Sequence, residues 1–406
     1  MKIVVALDSF KGSLTAVQAC DIVAQAIRSI VPAAEVVTRP MADGGEGTAA
    51  VLMAAAGGQW IGATVMGPLP EMEVEAGFVW LPDSRTALVE MATASGLPLL
   101  RPEQRNPLHT TTYGTGQLIQ AALDHGATHI LLAIGGSATV DGGVGAAMAL
   151  GWRFLTQDGQ EIGLGGGQLA RIAKIVAPVR SVLVRASLRR SCVPARRLSG
   201  ERGRSPYEET PHGVTVDVLC DVDNPLCGER GAARVYGPQK GATPEMVEQL
   251  DAGLAHLARR VKEQLACDIA ELPGAGAAGG LAAGAVAFLN ARLVPGIDAV
   301  MSQTRLPQAT AGADWVITGE GSFDEQSLQG KVVSGVVRVA RAAGAKVAVC
   351  AGQVRLPPEE YRPAGIETAI ACMEPGMELD YAIAHSAELL AGAARRWACG
   401  HLAMAG

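Results

Sequence analysis

No Cys-x-x-Cys pair occurs in this sequence, although it carries eight cysteines: Cys20, Cys192, Cys220, Cys227, Cys267, Cys350, Cys372 and Cys399. That scatter argues against a zinc site or a disulfide framework and predicts reduced, mostly buried thiols, as in the cytosol. An excess of positive charge is missing too. With a formal net charge of -6, nothing overall would displace counterions from a nucleic-acid backbone, and no nucleic-acid partner is expected. The N-terminus, Met1-Lys2-Ile3-Val4-Val5-Ala6-Leu7-Asp8, reaches a charge too soon for a secretory h-region. One uncharged run, Leu272 to Ala291, is nearly long enough to span a bilayer. Its glycines and alanines and Pro273 favour a buried glycine-rich turn followed by a core helix. A cytoplasmic protein with no membrane partner is expected.

Several familiar chemical signatures are also lacking. There is no GxxxxGK[ST] P-loop, and the first strand is not followed by GxGxxG. GxSxG is missing where a nucleophile elbow would stand. His125 and His129 are four apart with Gly126 between them, a pattern that fits ordinary histidines better than a metal site.

What remains is a chain of 406 residues with 49% hydrophobic and 18% charged residues, enough for two α/β domains and too apolar for wholesale disorder. Ile3-Val4-Val5-Ala6-Leu7 is a continuous apolar run, as in a parallel strand buried on both faces. Thr15 and Gln18 make a capping box before a helical pattern that Pro32 stops. A second βα unit follows: strand Glu35 to Arg39, loop Met41 to Gly47 and helix Thr48 to Ala56. The texture changes near Gly62. Thr64 to Met66, Met72 to Trp80 and Thr86 to Met91 read as short strands, the middle one alternating like a half-buried antiparallel strand. A helix from Gln117 to Asp124, a strand from His129 to Ile134 and a helix from Val144 return to α/β character. Asp314 to Thr318, Lys346 to Ala351 and Glu367 to Ala371 read as strands, with a helix from Val332 to Ala342. Residues 1–63 and 290–406 would then share one open sheet, with residues 64–289 inserted as a mixed α/β domain. The Arg-rich stretch 180–212 reads as a surface insertion or an anion-binding flap.

Five polar, glycine-rich segments interrupt the apolar sequence. Asp8-Ser9-Phe10-Lys11-Gly12-Ser13 joins a lysine to a helix start, a seat for phosphate or carboxylate. Asp43-Gly44-Gly45-Glu46-Gly47 offers two carboxylates for a hard cation or for sugar-like hydroxyls. Gly135-Gly136-Ser137-Ala138-Thr139-Val140-Asp141 supplies hydroxyls and amides around an anion, with Asp141 as base or cation partner. Cys220-Asp221-Val222-Asp223-Asn224 combines with Gly237-Pro238-Gln239-Lys240-Gly241. The last is Gly319-Glu320-Gly321-Ser322-Phe323-Asp324, with Gly330-Lys331 downstream. Each alone is ordinary turn chemistry. Together they place acids and lysines on loops, as phosphoryl transfer requires.

At these loops the sequence closely resembles the bacterial glycerate kinase family, in order and over nearly the whole chain. The resemblance implies a flavodoxin-like (Rossmann-like) open parallel-sheet domain formed by both chain ends, a second α/β domain inserted, and an active site in the cleft between them. It implies ATP as phosphate donor, Mg²⁺ as cofactor and D-glycerate as acceptor, with 2-phosphoglycerate favoured over 3-phosphoglycerate. On loop position and motif match, Lys11 and Lys240 position anions, one the glycerate carboxylate and the other the donor phosphates. Asp43, Glu46 and Asp324 are leading Mg²⁺ or substrate-hydroxyl ligands. Asp221 is the first choice for the catalytic base and Asp141 the second. Asp8, Ser9, Ser137 and Asn224 belong with the substrate, and Gly319, Glu320, Ser322 and Lys331 with the nucleotide. A monomer or homodimer is expected. The competing readings are a kinase for another small hydroxy acid and a non-catalytic relative that binds glycerate or nucleotide.

Overall fold

The computed structural model describes residues 1–45, 47–178 and 213–402. Glu46 and the Arg-rich stretch 180–212 therefore lie outside the described residues. The chain divides into two compact units, Met1–Gly58 with Pro295–Gly406, and Gln59–Val294.

In the first unit the apolar run of the N-terminus forms β1 (Lys2–Leu7), which no single apolar face could satisfy. It lies inside a five-stranded sheet in the order β15-β13-β11-β1-β2, where β2 is Glu35–Thr38, β11 is Trp315–Gly319, β13 is Lys346–Ala351 and β15 is Thr368–Ala371. All four pairings are parallel, with Leu7 opposite Gly319 and Val5 opposite Thr38. Ile3, Val5 and Leu7 face one core with Ala19, Val23 and Ile27 of the helix Ala16–Ile30 and with Leu390 and Trp397 of the helix Ser386–His401. Val4 and Ala6 face the other, with Ile297, Met301 and the helix Val332–Ala342. Helices thus cover both faces, as in doubly wound folds. Thr15 closes the expected capping box with Gln18.

The second unit holds a six-stranded sheet in the order β10-β9-β6-β5-β4-β3. Its strands are β3 (Gln59–Met66), β4 (Glu73–Leu81), β5 (Thr86–Glu90), β6 (His129–Ala133), β9 (Thr215–Leu219) and β10 (Arg292–Val294). Pairings are antiparallel from β3 to β5 and parallel from β5 to β10. β7 (Arg153–Leu155) and β8 (Lys174–Val176) form a separate hairpin, and β12 (Ser322–Phe323) pairs with β14 (Gln353–Val354) in the first unit.

Two readings need correction. β3 begins at Gln59, so a boundary at residue 64 falls inside a strand paired along its full length with β4. The half-buried alternation expected of β4 holds only where Glu73 and Glu75 face solvent; from Ala76 onward Gly77, Phe78 and Val79 are all buried. The Trp60 ring covers Gly77 so closely that an added Cβ would stand 2.7 Å from it. The run 272–291 folds as a turn at Ala277–Gly280 and a buried helix Leu281–Leu289. No helix among the described residues is long and apolar enough to cross a membrane. Among the described residues Cys20, Cys220, Cys227, Cys350, Cys372 and Cys399 are free thiols, and Cys20, Cys350 and Cys372 are buried.

Candidate active site

Parallel neighbours deliver the loops at their carboxyl ends along one edge, and here β11, β1 and β2 lie side by side. Asp8 follows β1 directly, and its N–H donates to Gly319 O (2.9 Å), which sets it alongside Glu320. The Ser9 N–H donates to Asp8 Oδ1 at 2.6 Å. Burial, and next to it the Asp43 and Glu320 carboxylates, push the Asp8 carboxyl up to about 7 against the pull of the Ser9 amide and Lys11. Glu320 is also raised, mainly by burial and then by Asp324, while a hydrogen bond from Ser327 and the charges of Lys331 and Lys11 oppose this. The fields of these side chains overlap, so the structure brings Asp8, Lys11, Asp43, Glu320, Asp324 and Lys331 into one charged cluster.

Local turns fix its members. Asp43 Oδ1 accepts from Gly45 N at 3.1 Å. The start of the helix Gly296–Gln303 presses on the same turn, since a Cβ on Gly296 would lie 1.7 Å from Asp43 O. Asp324 caps the turn Glu325–Leu328, with Oδ1 accepting from Gln326 N at 3.0 Å. Lys331 Nζ donates to Gln326 Oε1 (3.1 Å) just ahead of the helix Val332–Ala342. Among the described residues no group of three acids, histidines or cysteines is disposed to hold a metal.

In the second unit Lys240 is buried, 2% exposed, and its Nζ donates to Ser137 Oγ at 2.6 Å and Thr139 O at 2.8 Å. Burial drives its ammonium down to about 7, against the attraction of Asp141. The Gly-Pro-Gln-Lys-Gly and Gly-Gly-Ser loops are therefore one assembly, tied by a lysine. Asp141 is 1% exposed. It accepts from Thr112 N (2.8 Å), Thr112 Oγ1 (2.9 Å), Gly143 N (3.1 Å) and Gly145 N (3.3 Å), so both oxygens are engaged by the protein itself. Burial still raises its carboxyl above the usual range. This makes Asp141 an anchor for its loop, not a group that can reach a substrate proton.

Asp221 stands exposed beyond β9, and Asn224 is held by Tyr236 Oη, which donates to its Oδ1 (2.7 Å). Within β9 itself, buried Asp217 pairs with His129 Nε2 (2.9 Å) and Arg292 Nε (2.7 Å). Burial opposes its charge, but those two partners hold its carboxyl below the usual range. His125 packs edge-on against Phe78 and Trp80. Both histidines thus have structural surroundings.

Sequence reasoning missed the support given by the glycine-rich turn. Gly274 lies against Cys220, Gly276 against Pro225, Gly279 against Thr139 and Gly280 against Gly142, so the turn runs between the loops bearing Asp221 and Asp141. It also missed Thr112. Only its place near the glycines of a helix start hinted at a role.

The glycerate kinase family model matches residues 3–207 and 204–399. A glycerate kinase of Halalkalibacterium halodurans is 43% identical, over 97% of this chain and 96% of its own length. A glycerate 2-kinase of Escherichia coli is 43% identical, over 84% of this chain and 82% of its own. A crystal structure from Salmonella typhimurium LT2, of a protein assigned as glycerate kinase 2, aligns with TM-score 0.83 and 38% identity over 98% of each chain. By family model, relatives and solved structure alike, the chain belongs to the glycerate kinase family.

Proposed function

We propose that this chain transfers a phosphoryl group from ATP to a hydroxyl of D-glycerate, with 2-phosphoglycerate as the product. The observation that carries the reading is the charged edge of the five-stranded sheet, where Asp8, Lys11, Asp43 and Glu320 meet at adjacent strand ends in a chain of this family. Phosphoryl transfer asks a protein mainly for positioning and for compensation of charge, and acids interleaved with lysines supply both. The relative named glycerate 2-kinase supports the choice of the 2-hydroxyl.

Lys11 holds an anion at this edge. Asp221 takes the hydroxyl proton, and Ser137 and Asn224 line the acceptor with Asp8 and Ser9. Gly319, Glu320, Ser322 and Lys331 line the nucleotide. Lys240 acts through Ser137 and Thr139, which it ties together. Mg²⁺ fits the residues present: one or two carboxylates suffice when phosphates and waters complete the shell. Burial, and after it the nearby Asp43 and Glu320 carboxylates, raises Asp8, and a divalent cation relieves that crowding of charge. Asp43 and Asp324 would hold it, each with one oxygen already fixed by a local turn. When bound, the ion neutralises charge on the phosphate oxygens. The protein works in the cytoplasm as a monomer or homodimer.

The test is ³¹P NMR of the purified protein with MgATP and D-glycerate, against a control lacking glycerate. A new phosphomonoester signal, split by a single proton, is expected for attachment at C2. Splitting by two protons would mean C3. Absence of any phosphomonoester from folded protein would sink the glycerate assignment.

A further inference from the structure

Buried polar side chains are almost always paired, and each exception asks for an explanation. Three exceptions fall within five consecutive residues at the carboxyl end of β11. Thr318 Oγ1, Glu320 Oε1 and Ser322 Oγ are buried without a hydrogen-bond partner among the described residues. Thr318 is 0% exposed. It stands in register with Ala6 of β1 and Val349 of β13, whose side chains offer neither donor nor acceptor. It shares the strand face of Val316, opposite that of Trp315 and Ile317. In this aliphatic setting a valine would fit as well and leave no hydroxyl stranded. The hydroxyl of Ser327, itself 1% exposed, interacts with the Glu320 carboxylate and donates to Ser322 O at 3.4 Å, which ties this segment to the turn that follows.

We propose that Thr318, Glu320 and Ser322 form a recognition site for a ligand hydroxyl, with the Glu320 oxygen accepting its hydrogen and the two side-chain hydroxyls donating to its oxygen. The donor and acceptor set excludes a phosphate. Lys331 and Lys11 as well as Asp8 and Asp324 act on Glu320, so its bare oxygen calls for a hydrogen to accept, which a phosphate does not offer. A neutral hydroxyl is matched on both sides. Given the proposed function, on which this inference rests, such a hydroxyl comes from glycerate or from the ribose of the nucleotide.

Wild-type protein is first assayed with MgATP and D-glycerate, which tests the function by itself. Thr318→Val, Thr318→Ser and Ser322→Ala are then compared for melting temperature and for KM of each substrate. Thr318→Val should melt no lower than wild type, yet raise one KM by about tenfold, the loss expected when a hydrogen-bonded hydroxyl loses its partner. Thr318→Ser should restore it. A rise confined to glycerate assigns the acceptor hydroxyl. A rise confined to ATP, with lost discrimination against 2′-deoxy-ATP and 3′-deoxy-ATP, assigns the ribose. Unchanged KM values in all three variants would overturn the proposal. So would a lower melting temperature for Thr318→Val, which would mean that the hydroxyl already has a partner in the protein. If the wild type turns over no glycerate, the rise in melting temperature on adding ATP or glycerate is read instead. Loss of that rise in Thr318→Val supports the site, and its retention removes it.

Discussion

Asp141 accepts from backbone amides on both sides of its loop and from the Thr112 hydroxyl, all in a place water does not reach. Asparagine there would turn an NH₂ group toward at least one of those donors. Asp141→Asn should therefore lose about 2–3 kcal/mol in urea unfolding, the usual consequence of stranding buried donors. An unchanged midpoint would remove the anchor. Asp8 is buried too, but with one backbone amide for a donor and other carboxylates nearby, so the fold holds its charged form at a disadvantage with little to offset it. Its folded-state value, about 7, lies above the ordinary 3.8, so the folded chain binds more protons than the unfolded one between those values. This contribution to stability is present below pH 4 and is lost as pH rises through about 7. In metal-free buffer, Asp8→Asn should gain about 2–4 kcal/mol at pH 8 and almost nothing at pH 4. A gain that ignores pH would mean that Asp8 is not held in its protonated form.

The turn between Gly274 and Gly284 is the element on which the second unit's loops depend. Gly279 has φ +67°, and a Cβ added there would stand 1.9 Å from Thr139 O, a backbone atom with nowhere to go. Gly279→Ala should cost about 4 kcal/mol or more, read as a large fall in melting temperature together with loss of activity. A melting temperature near that of wild type would show that the loops can part. The sequence made the elements of the first unit plain, because continuous apolar runs such as Ile3 to Leu7 and Val347 to Ala351 have few alternatives to a buried strand. It concealed the start of the helix Tyr113–Asp124, expected only from Gln117. Gly114 and Gly116 weaken the local helical signal, yet they are there because Met66 O and Ala146 O come so close that a Cβ would lie 1.8 and 2.4 Å away. The acidic and glycine-rich loops of the site were equally plain as motifs. What their residues do was not, because the burial of Lys240 and the partners of Asp141 are set by segments distant in sequence.

At the scale of the molecule, the first unit depends on both ends of the chain. Trp397, 1% exposed, packs edge-on against Trp315 with ring centroids 5.2 Å apart, and it shares a core with Ile3 and Val5 of β1. Trp397→Ala should destabilise that unit by about 3–5 kcal/mol. In hydrogen exchange, amides of β1 and β11 should lose protection while those of β5 and β6 keep theirs. Equal loss in both sheets would mean that the units unfold as one. The wedging of β1 between β2 and β11 also has a consequence in time. On the ribosome, roughly 300 residues must be added between β1 and its partner β11, a wait of roughly 15 s to a minute at ordinary elongation rates. Through that interval β1 has one open edge and an apolar face with no lid, so the nascent chain is a natural client for chaperones until β11 emerges.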